Sequence, residues 1–403
     1  MRLVHLSDLH LGYRQFQRQT AAGINQREAD IAAVFRGVID RVIALAPDVV
    51  VIAGDVFHNV RPPNPAILHA FAQFSRLTQA LPSAIVVMVA GNHDAPRAAE
   101  TGCILRLFAP LGIHVVDAAA ERLVFPERDL SILAVPDTGV RQSVALEPDP
   151  SVSCNVLVLH GEVEGILPAG AVRGERATVA VTPEELQPAR WRYVALGHHH
   201  VFRQVAPNAY YSGSIEYTSA NPWGELAEER AARLPGKGFL EYNLATGKRT
   251  FHPIKPARPL LDLPRIEGRG MAAADLDAAI RANVARVPGG IEDKIVRQVA
   301  HDVPRHVARE IDHALLRDLK KRALHFHLDT RRPELLRVTV GLGSAGRRPS
   351  LTDTVREKLQ GRPLPVDIDR ARLVERGLYY LAEAEQRDAI ATAGVAVLAE
   401  GEA

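Results

Sequence analysis

Short, continuous apolar runs recur through the first half of the chain. They are rich in Val and Ile and do not alternate with polar residues, which is typical of strands covered on both faces. These runs, with the polar residues that border them, are Leu3–Leu6, Asp48–Ala53, Ala84–Val89, Asn155–Leu159 and Arg192–Leu196. Between the first three, apolar residues recur at helical spacing over Arg27–Ala46 and Pro65–Ala80. Alternating strands and helices predict an α/β fold with a largely parallel sheet.

A polar motif follows each predicted strand directly. The motifs are Asp8-Leu9-His10, Gly54-Asp55, Gly91-Asn92-His93-Asp94, His160-Gly161 and Gly197-His198-His199-His200. Because the loops after parallel strands meet at one edge of the sheet, we expect these side chains to be neighbours. Their oxygen and nitrogen donors suit Mn²⁺, Fe²⁺, Zn²⁺ or Co²⁺. Two such ions side by side can activate water and polarise a phosphoryl oxygen, so the motifs predict hydrolysis of a phosphate ester.

The order of these motifs resembles the calcineurin-like metallophosphoesterase superfamily. Within it, the segments His5–Gly12, Gly54–His58 and Tyr211–Ser214 are similar to the SbcD-type DNA repair nucleases, the prokaryotic counterparts of the eukaryotic meiotic-recombination nuclease. The resemblance covers residues 1–255 with specific motifs and rests on layout beyond them. It implies a four-layer α/β/β/α sandwich and a nuclease that uses two divalent metal ions, Mn²⁺ being expected, on DNA ends in double-strand break repair. Cutting as a 3′-5′ exonuclease, as an endonuclease or as both stays open.

The resemblance also implies a role for each residue. One metal would be held by Asp8, His10, Asp55 and His200, and the other by Asp55, Asn92, His160 and His198. His93 would stand near the leaving-group oxygen as proton donor or transition-state stabiliser, with His58 beside it, a task that suits imidazole because its pKa lies near neutrality. His198 and His200 are preferred to His199 because alternate residues of an extended chain point the same way.

Three polar residues near the motifs are expected to serve the structure instead. His199 is expected at the surface or behind the ligands, and Asp94 as an acceptor of structural hydrogen bonds. His5 lies within the first predicted strand, where a histidine of the core or of the site's surroundings is expected.

A second module follows the predicted linker Lys255–Pro259. Its strands and helices are predicted at Leu260–Arg265, Ala273–Ala285, Asp293–Ala300, Pro304–Arg322 and Ala323–Leu328. We name residues 256–340 the capping module, because in SbcD-like proteins such a module caps the nuclease site and helps to hold duplex DNA. Residues 294–348 contain 13 Lys and Arg against 6 Asp and Glu, and the densest positions are Lys320, Lys321, Arg322, Arg331 and Arg332. These cations could follow DNA phosphates or form only a solvated face.

The last part of the chain is expected to meet a partner. Residues 341–350 are rich in Gly, Ser and Arg and predict a flexible linker, and residues 351–403 predict a helical segment with helices at Val355–Gln360 and Ile368–Gln386. An apolar stripe of Val374, Leu378 and Leu381 could dock on the capping module. Alternatively, residues 351–390 could dock on an SbcC-like coiled-coil ATPase, as the family's C-terminal segment does. The resemblance also implies a homodimer.

Composition says more about the expected cellular location of the protein than about its activity. A net charge of +2 gives no bulk electrostatic argument for nucleic acid. The two cysteines, Cys103 and Cys154, are expected to be inert core thiols in a reducing compartment. The first residues enter a predicted strand, so no signal peptide is expected, and no apolar run is long enough to cross a membrane. We therefore expect a cytoplasmic, nucleoid-associated protein with no membrane partner.

Two other functions stay open on the sequence. One is a phosphatase or phosphodiesterase of the same superfamily that acts on small molecules. The other is a DNA-end-binding scaffold whose hydrolysis is dispensable. The His58 form of the second motif and the basic capping module favour the nuclease, and the intact ligand set argues against a dead site. The segment Gly247–Thr250 lacks the first glycine of a P-loop and predicts a hairpin turn, so any ATP dependence would come from a partner.

Overall fold

The computed structural model describes residues 1–96, 102–138, 145–166, 177–333, 350–361 and 369–383, and every element below lies in these ranges. The strands are β1 (Arg2–Leu6), β2 (Val49–Ala53), β3 (Ile85–Val89), β4 (His114–Val116), β5 (Glu121–Phe125), β6 (Leu130–Val135), β7 (Cys154–His160), β8 (Glu162–Val163), β9 (Ala180–Val181), β10 (Tyr193–Gly197), β11 (Arg203–Ala206), β12 (Ala209–Tyr211), β13 (Gly238–Asn243), β14 (Arg249–Pro253), β15 (Leu260–Asp262), β16 (Ile266–Glu267), β17 (Ile295–His301) and β18 (His325–Thr330). The helices are α1 (Gln26–Leu45), α2 (Asn64–Ala80), α3 (Pro183–Leu186), α4 (Pro222–Ala231), α5 (Ala273–Ala285), α6 (Arg305–Glu310), α7 (His313–Arg322) and α8 (Leu351–Gly361), with a 3₁₀ helix at Ile104–Leu111.

The first sheet has the order β14-β13-β1-β2-β3-β4. Strands β1 to β4 are parallel, while β13 and β14 add an antiparallel hairpin, as predicted for the turn near Gly247. Asn25 caps the N-terminus of helix α1, because its side chain accepts the N–H of Arg27 at 3.0 Å, and Ala46, in the left-handed conformation before Pro47, caps the C-terminus. Helices α1 and α2 cover one face of this sheet.

A second sheet, of order β11-β12-β10-β7-β6-β5, packs against the other face of the first. In β2, Val49 and Val51 face this second sheet, while Val50 and Ile52 pack under α1 and α2. Both faces are buried, which explains why the strands are continuous apolar runs. The five predicted strands and both predicted helices are confirmed, each to within one residue. The α/β sandwich is confirmed too, although its fourth layer contains the short α3 with β8 and β9 rather than long helices in the described residues.

The capping module has a small sheet and an apolar core of its own. Strands β15, β16 and β18 all pair in parallel with β17, and α5 and α7 pack on the sheet through Leu276, Ile280 and Leu319. Helix α5 is as predicted. The single helix predicted over Pro304–Arg322 is wrong, because Asp312 accepts the N–H groups of Ala314 and Leu315 and so begins a new helix, α7. The short β16 was not predicted.

The capping module is seated on α4 and on the loop that follows β1. One apolar cluster joins these elements and contains Phe16, Tyr217, Trp223, Leu226, Leu260, Ile295 and Leu324. The ring of Phe16 also stacks on His325, with 3.9 Å between ring centroids, and Arg18 donates to the carbonyl of Ala323 at 3.0 Å. The described part of the module, residues 256–333, therefore belongs to the same compact unit as the two large sheets, Met1–Glu334. The predicted division into residues 1–255, 256–340, 341–350 and 351–403 stays a prediction.

Residues 335–403 form a second unit of the chain. Its described part contains α8 and a further helical segment, residues 370–383, in which Gly377 lies against Leu359 of α8. The predicted C-terminal helices are confirmed within the described residues, and residues 341–349 of the predicted linker lie outside them. No helix in the described ranges has the length and apolar character that a membrane span requires. The cytoplasmic location stays a prediction.

Candidate metal centre

The polar motifs meet where β1, β2 and β3 of the first sheet and β7 and β10 of the second sheet end. Here the two sheets touch, because the ring of His160 reaches across and places its Nδ1 2.8 Å from the carbonyl oxygen of Ala53. The structure brings all seven predicted ligands to this edge. Three groups present donor atoms within 4.8 Å of one another: a first of Asp8, His10 and His200, a second of Asp55, His160 and His198, and a third of His10, His58 and His93. The first two contain only predicted ligands.

The first group is built on the loop after β1. His10 Nε2 lies 2.9 Å from His200 Nε2, so two imidazole nitrogens converge on one point. Asp8 is held beside them, because its carboxylate accepts the hydroxyl of Ser7 at 2.5 Å and the backbone N–H of His198 at 3.0 Å. Burial lowers the pKa of His10 well below its usual value, and neighbouring His200 lowers it further, so the His10 ring is neutral. Two converging ring nitrogens next to a carboxylate fit a cation.

The second group surrounds Asn92. The side-chain oxygen of Asn92 lies 3.0 Å from His160 Nε2 and 3.2 Å from His198 Nδ1. Asp55 belongs to this group and also approaches the first, with Oδ2 3.5 Å from His160 Nε2 and 3.8 Å from His10 Nε2. Burial alone would raise the pKa of Asp55, but His160 and His10 outweigh it and hold that pKa well below its usual range. A charged carboxylate between two nitrogen clusters is placed to bridge two cations.

Acceptor oxygens lie near three of the ring nitrogens that face away from the groups. His160 Nδ1 lies 2.8 Å from the Ala53 carbonyl oxygen, His198 Nε2 lies 3.4 Å from Glu162 Oε1, and His200 Nδ1 lies 3.5 Å from Glu225 Oε1. Metal-bound histidines nearly always have a carboxylate or carbonyl at the second nitrogen, which fixes the ring and its tautomer. The donor set therefore fits two divalent ions. Sequence reasoning missed both glutamates, although Glu162 stands two positions after His160.

Backbone strain is concentrated on the same residues. Asp8, His10, Asp55 and His198 have positive φ angles of 52°, 45°, 52° and 101°. Such angles are unfavourable for residues with a side chain, persist only where the surroundings enforce them, and cluster at functional sites. The turns that aim the ligands are thus imposed by the fold rather than by local preference.

His93 and His58 lie at the open side of the two groups, and both are partly exposed. The backbone N–H of His93 donates to Asp55 Oδ1 at 2.9 Å, and its ring Nδ1 donates to the carbonyl of His58 at 2.7 Å. The two rings stack, with 5.1 Å between centroids, and His58 Nδ1 lies 3.3 Å from His10 Nδ1. Both imidazoles therefore stand beside the candidate metal positions where a substrate can reach them.

Asp94 and His5 support the site from within the core. Asp94 accepts the backbone N–H groups of Val56, Phe57 and Gly91, which ties the second motif to the third. Burial and the nearby Asp55 raise the pKa of Asp94 to about 7. His5 lies between the sheets with Nδ1 2.9 Å from the hydroxyl of Tyr193, and burial lowers its pKa to about 3.

His199 turns away from the ligands. Its Nε2 lies 3.0 Å from Glu228 on α4, and its ring meets the Tyr211 ring edge to face. The alternation of side chains that separates His199 from His198 and His200 is therefore visible in the structure.

The predicted DNA-contacting residues lie at the end of α7 and after β18. Two of them are engaged with acids: Arg322 pairs with Glu292 at 3.0 Å, and Arg331 pairs with Asp329 at 3.1 Å. Lys320, Lys321 and Arg332 are exposed. The cluster is therefore less positive than a count of Lys and Arg suggests, and its contact with DNA stays a prediction.

Comparison with known proteins agrees with this geometry. The profile of the calcineurin-like phosphoesterase family matches residues 1–202, half of the chain, and the chain belongs to that family. The predicted superfamily is thereby confirmed. The chain is 39% identical over 97 residues to the DNA double-strand break repair protein Mre11 of Methanocaldococcus jannaschii, which covers 24% of each chain.

Longer matches have lower identity. The Mre11 protein of Sulfolobus acidocaldarius is 28% identical over 264 residues, 60% of this chain and 64% of that protein. The SbcD component of the nuclease SbcCD from Rhodobacter capsulatus is 27% identical over 313 residues, 66% of this chain and 72% of that protein. The chain thus spans less than two thirds of the length of both archaeal relatives. These matches agree with the resemblance to SbcD-type nucleases that the motifs indicate.

Proposed function

We propose that this chain is a metal-dependent nuclease that hydrolyses phosphodiester bonds at the ends of duplex DNA during double-strand break repair. The observation that carries the proposal is the pair of donor groups on either side of Asp55, with His93 and His58 beside them. The names of the relatives, two DNA double-strand break repair proteins and one component of a nuclease, support DNA as the substrate.

Each residue has a part in the proposed reaction. Asp8, His10, Asp55 and His200 would hold one divalent cation, and Asp55, Asn92, His160 and His198 the other, with Mn²⁺ proposed because mixed oxygen and nitrogen donors suit it. When bound, such cations polarise phosphoryl oxygens and make water more acidic. The His58 carbonyl fixes a proton on His93 Nδ1, so the Nε2 of protonated His93 can give its proton to the leaving 3′-oxygen.

The first test is the degradation of an end-labelled linear duplex with Mn²⁺ by the purified chain and by His93→Ala. The variant should lose roughly 100-fold or more in rate, the usual contribution of a positioned acid or base, while it still binds Mn²⁺ and DNA. His114→Ala is the matched control, because His114 is an exposed histidine on β4. If His93→Ala cleaves at the parental rate, or if the parent hydrolyses only small phosphodiesters, the proposal is wrong.

The same proposal includes two partners. Tyr379 and Tyr380 in the second unit are exposed, and an aromatic surface on a helix is suited to docking on the SbcC-like coiled-coil ATPase. Leu68 and Phe71 on α2 and Leu107 on the neighbouring 3₁₀ helix are exposed as well, and they supply an apolar surface for a homodimer. A nucleoid-associated location would follow from the DNA substrate.

A further inference from the structure

Helix α4 places three carboxylates behind the metal centre. Glu225 and Glu229 are buried, at 8% and 4% exposure, and Glu228 is partly buried. Glu225 faces His200 and Glu228 faces His199, while Glu229 faces Lys237 and Tyr217. The resemblance assigned this helix no function, and no motif of the sequence contains it.

Glu225 approaches His200 from the side opposite the first cation position. Its Oε1 lies 3.5 Å from His200 Nδ1, while His200 Nε2 lies 2.9 Å from His10 Nε2. The imidazole therefore lies between a carboxylate at one nitrogen and the candidate cation position at the other. This order of carboxylate, imidazole and cation fixes the ring and makes it a stronger ligand.

Lys237 secures this arrangement. It is 1% exposed, forms an ion pair with Glu225 through Nζ, and donates to the backbone carbonyl of His200 at 2.9 Å. One ammonium group thus holds both the backbone of His200 and the carboxylate that faces its ring. Glu229 at 3.3 Å and the ring of Tyr217 at 4.5 Å complete its surroundings.

Such a buried cluster needs an explanation other than stability. Desolvation of buried charges largely offsets their attraction, and well-packed apolar residues are often as stable in their place. A defined orientation is what the charges can supply here, because Lys237 binds the His200 backbone carbonyl and Glu225 lies 3.5 Å from the His200 ring.

We propose that Glu225, held by Lys237, is a positioning residue that aims Nε2 of His200 at the first cation. The inference rests on the proposed function, because it concerns the metal centre on which that function depends. The inference also predicts that some acidic residues of α4 affect metal binding and that others do not. Glu228 is the counterpart, since it pairs with His199 and Arg203, neither of which belongs to the predicted ligands.

The test measures Mn²⁺ binding by the full chain after removal of metal with EDTA, using calorimetry and the EPR signal of free Mn²⁺. The parent should bind two ions. Glu225→Gln should weaken one ion by roughly 10–100-fold and leave the other unchanged, the effect known for residues that orient metal ligands. Glu228→Gln should bind both ions as the parent does. A merely structural role for Glu225 would lower the thermal stability of the metal-free protein without separating the two affinities.

Glu225→Gln should fold, because Lys237 retains Glu229 and the His200 carbonyl. If circular dichroism shows that it does not, the triple variant Glu225→Gln, Glu229→Gln and Lys237→Gln removes the three buried charges together and takes its place. Parental affinity for both ions in the variant, or an equal loss in Glu228→Gln, would overturn the inference and leave the proposed nuclease standing. A parent that binds no divalent ion would overturn both.

Discussion

At the scale of single residues, the site combines side chains of ordinary type with backbone conformations that those residues rarely adopt. Positive φ at Asp8, His10, Asp55 and His198 costs of the order of 1–3 kcal/mol each. That free energy must come from the packing of the two sheets around the turns. A substitution in the supporting core should therefore displace the candidate ligands even where it does not contact them.

His5 is the clearest such supporting residue, and it makes stability depend on pH. The pKa of His5 falls to about 3 in the folded protein. At a pH between that value and the ordinary pKa of histidine, His5 is protonated in the unfolded chain and neutral in the folded one. Stability should therefore decrease as the pH falls. Between about pH 7 and about pH 5 the free energy of unfolding should therefore decrease less in His5→Gln than in the parent, by about 2 kcal/mol. Gln retains a polar partner for Tyr193. Urea unfolding of both proteins in EDTA measures the difference, and parallel curves would contradict the prediction.

At the scale of elements, the ends of the strands are packed so closely that only glycine fits. A Cβ on Gly91 would overlap the carboxylate and the backbone nitrogen of Asp55, and one on Gly197 would overlap the carbonyl of Ala53. These glycines allow loops from different strands to approach within contact distance. The spacing of the ligands thus depends on the absence of side chains between them.

Gly91→Ala should therefore destabilise the protein by about 1–3 kcal/mol through overpacking, and it should lower the amount of Mn²⁺ bound. Gly37→Ala is the matched control, because Gly37 is exposed in the middle of α1 with open space around its Cα. That substitution should stabilise the protein by about 0.5–1 kcal/mol through better helix propensity. Denaturant unfolding and metal analysis test both, and a harmless Gly91→Ala would contradict this account of the strand ends.

The elements also show how far the sequence could lead. The strands and the meeting of the candidate ligands were predictable because each candidate ligand follows a buried run, and a parallel sheet brings such positions together. Glu225 was not predictable, because its approach to His200 depends on how α4 packs and leaves no local pattern. The ion pair between Arg322 and Glu292 is likewise set by tertiary structure, so a count of charges overstated the basic surface.

At the scale of the whole molecule, the proposed homodimer depends on an apolar surface that the described chain leaves open. Leu68 on α2 is 71% exposed. On the buried side of α2, the ring of Phe74 packs against that of Phe108, with 4.9 Å between ring centroids. Exposed apolar side chains on rigid, neighbouring helices are suited to burial against a second copy.

Leu68→Glu should shift the protein from dimer to monomer, because the association would bury a carboxylate without a partner. Val124→Glu is the control, since Val124 is also apolar and exposed, at 41%, but lies on β5. Light scattering after gel filtration gives the mass of each variant. A parent that is monomeric, or a Leu68→Glu protein that stays dimeric, would remove α2 from the proposed interface.

Helix α4 has two sides, and only one of them concerns the metal. Its Trp223 and Leu226 lie in the apolar cluster on which the capping module sits, while Glu225 faces His200. If Glu225 positions His200 as proposed, the same helix contributes to two equilibria, the occupancy of the first cation and the seating of the module. Thermodynamic linkage between them is reciprocal: if loosening the module lowers the affinity for the cation, then binding of the cation tightens the module by the same factor. An empty centre would then hold its cap less firmly than a loaded one.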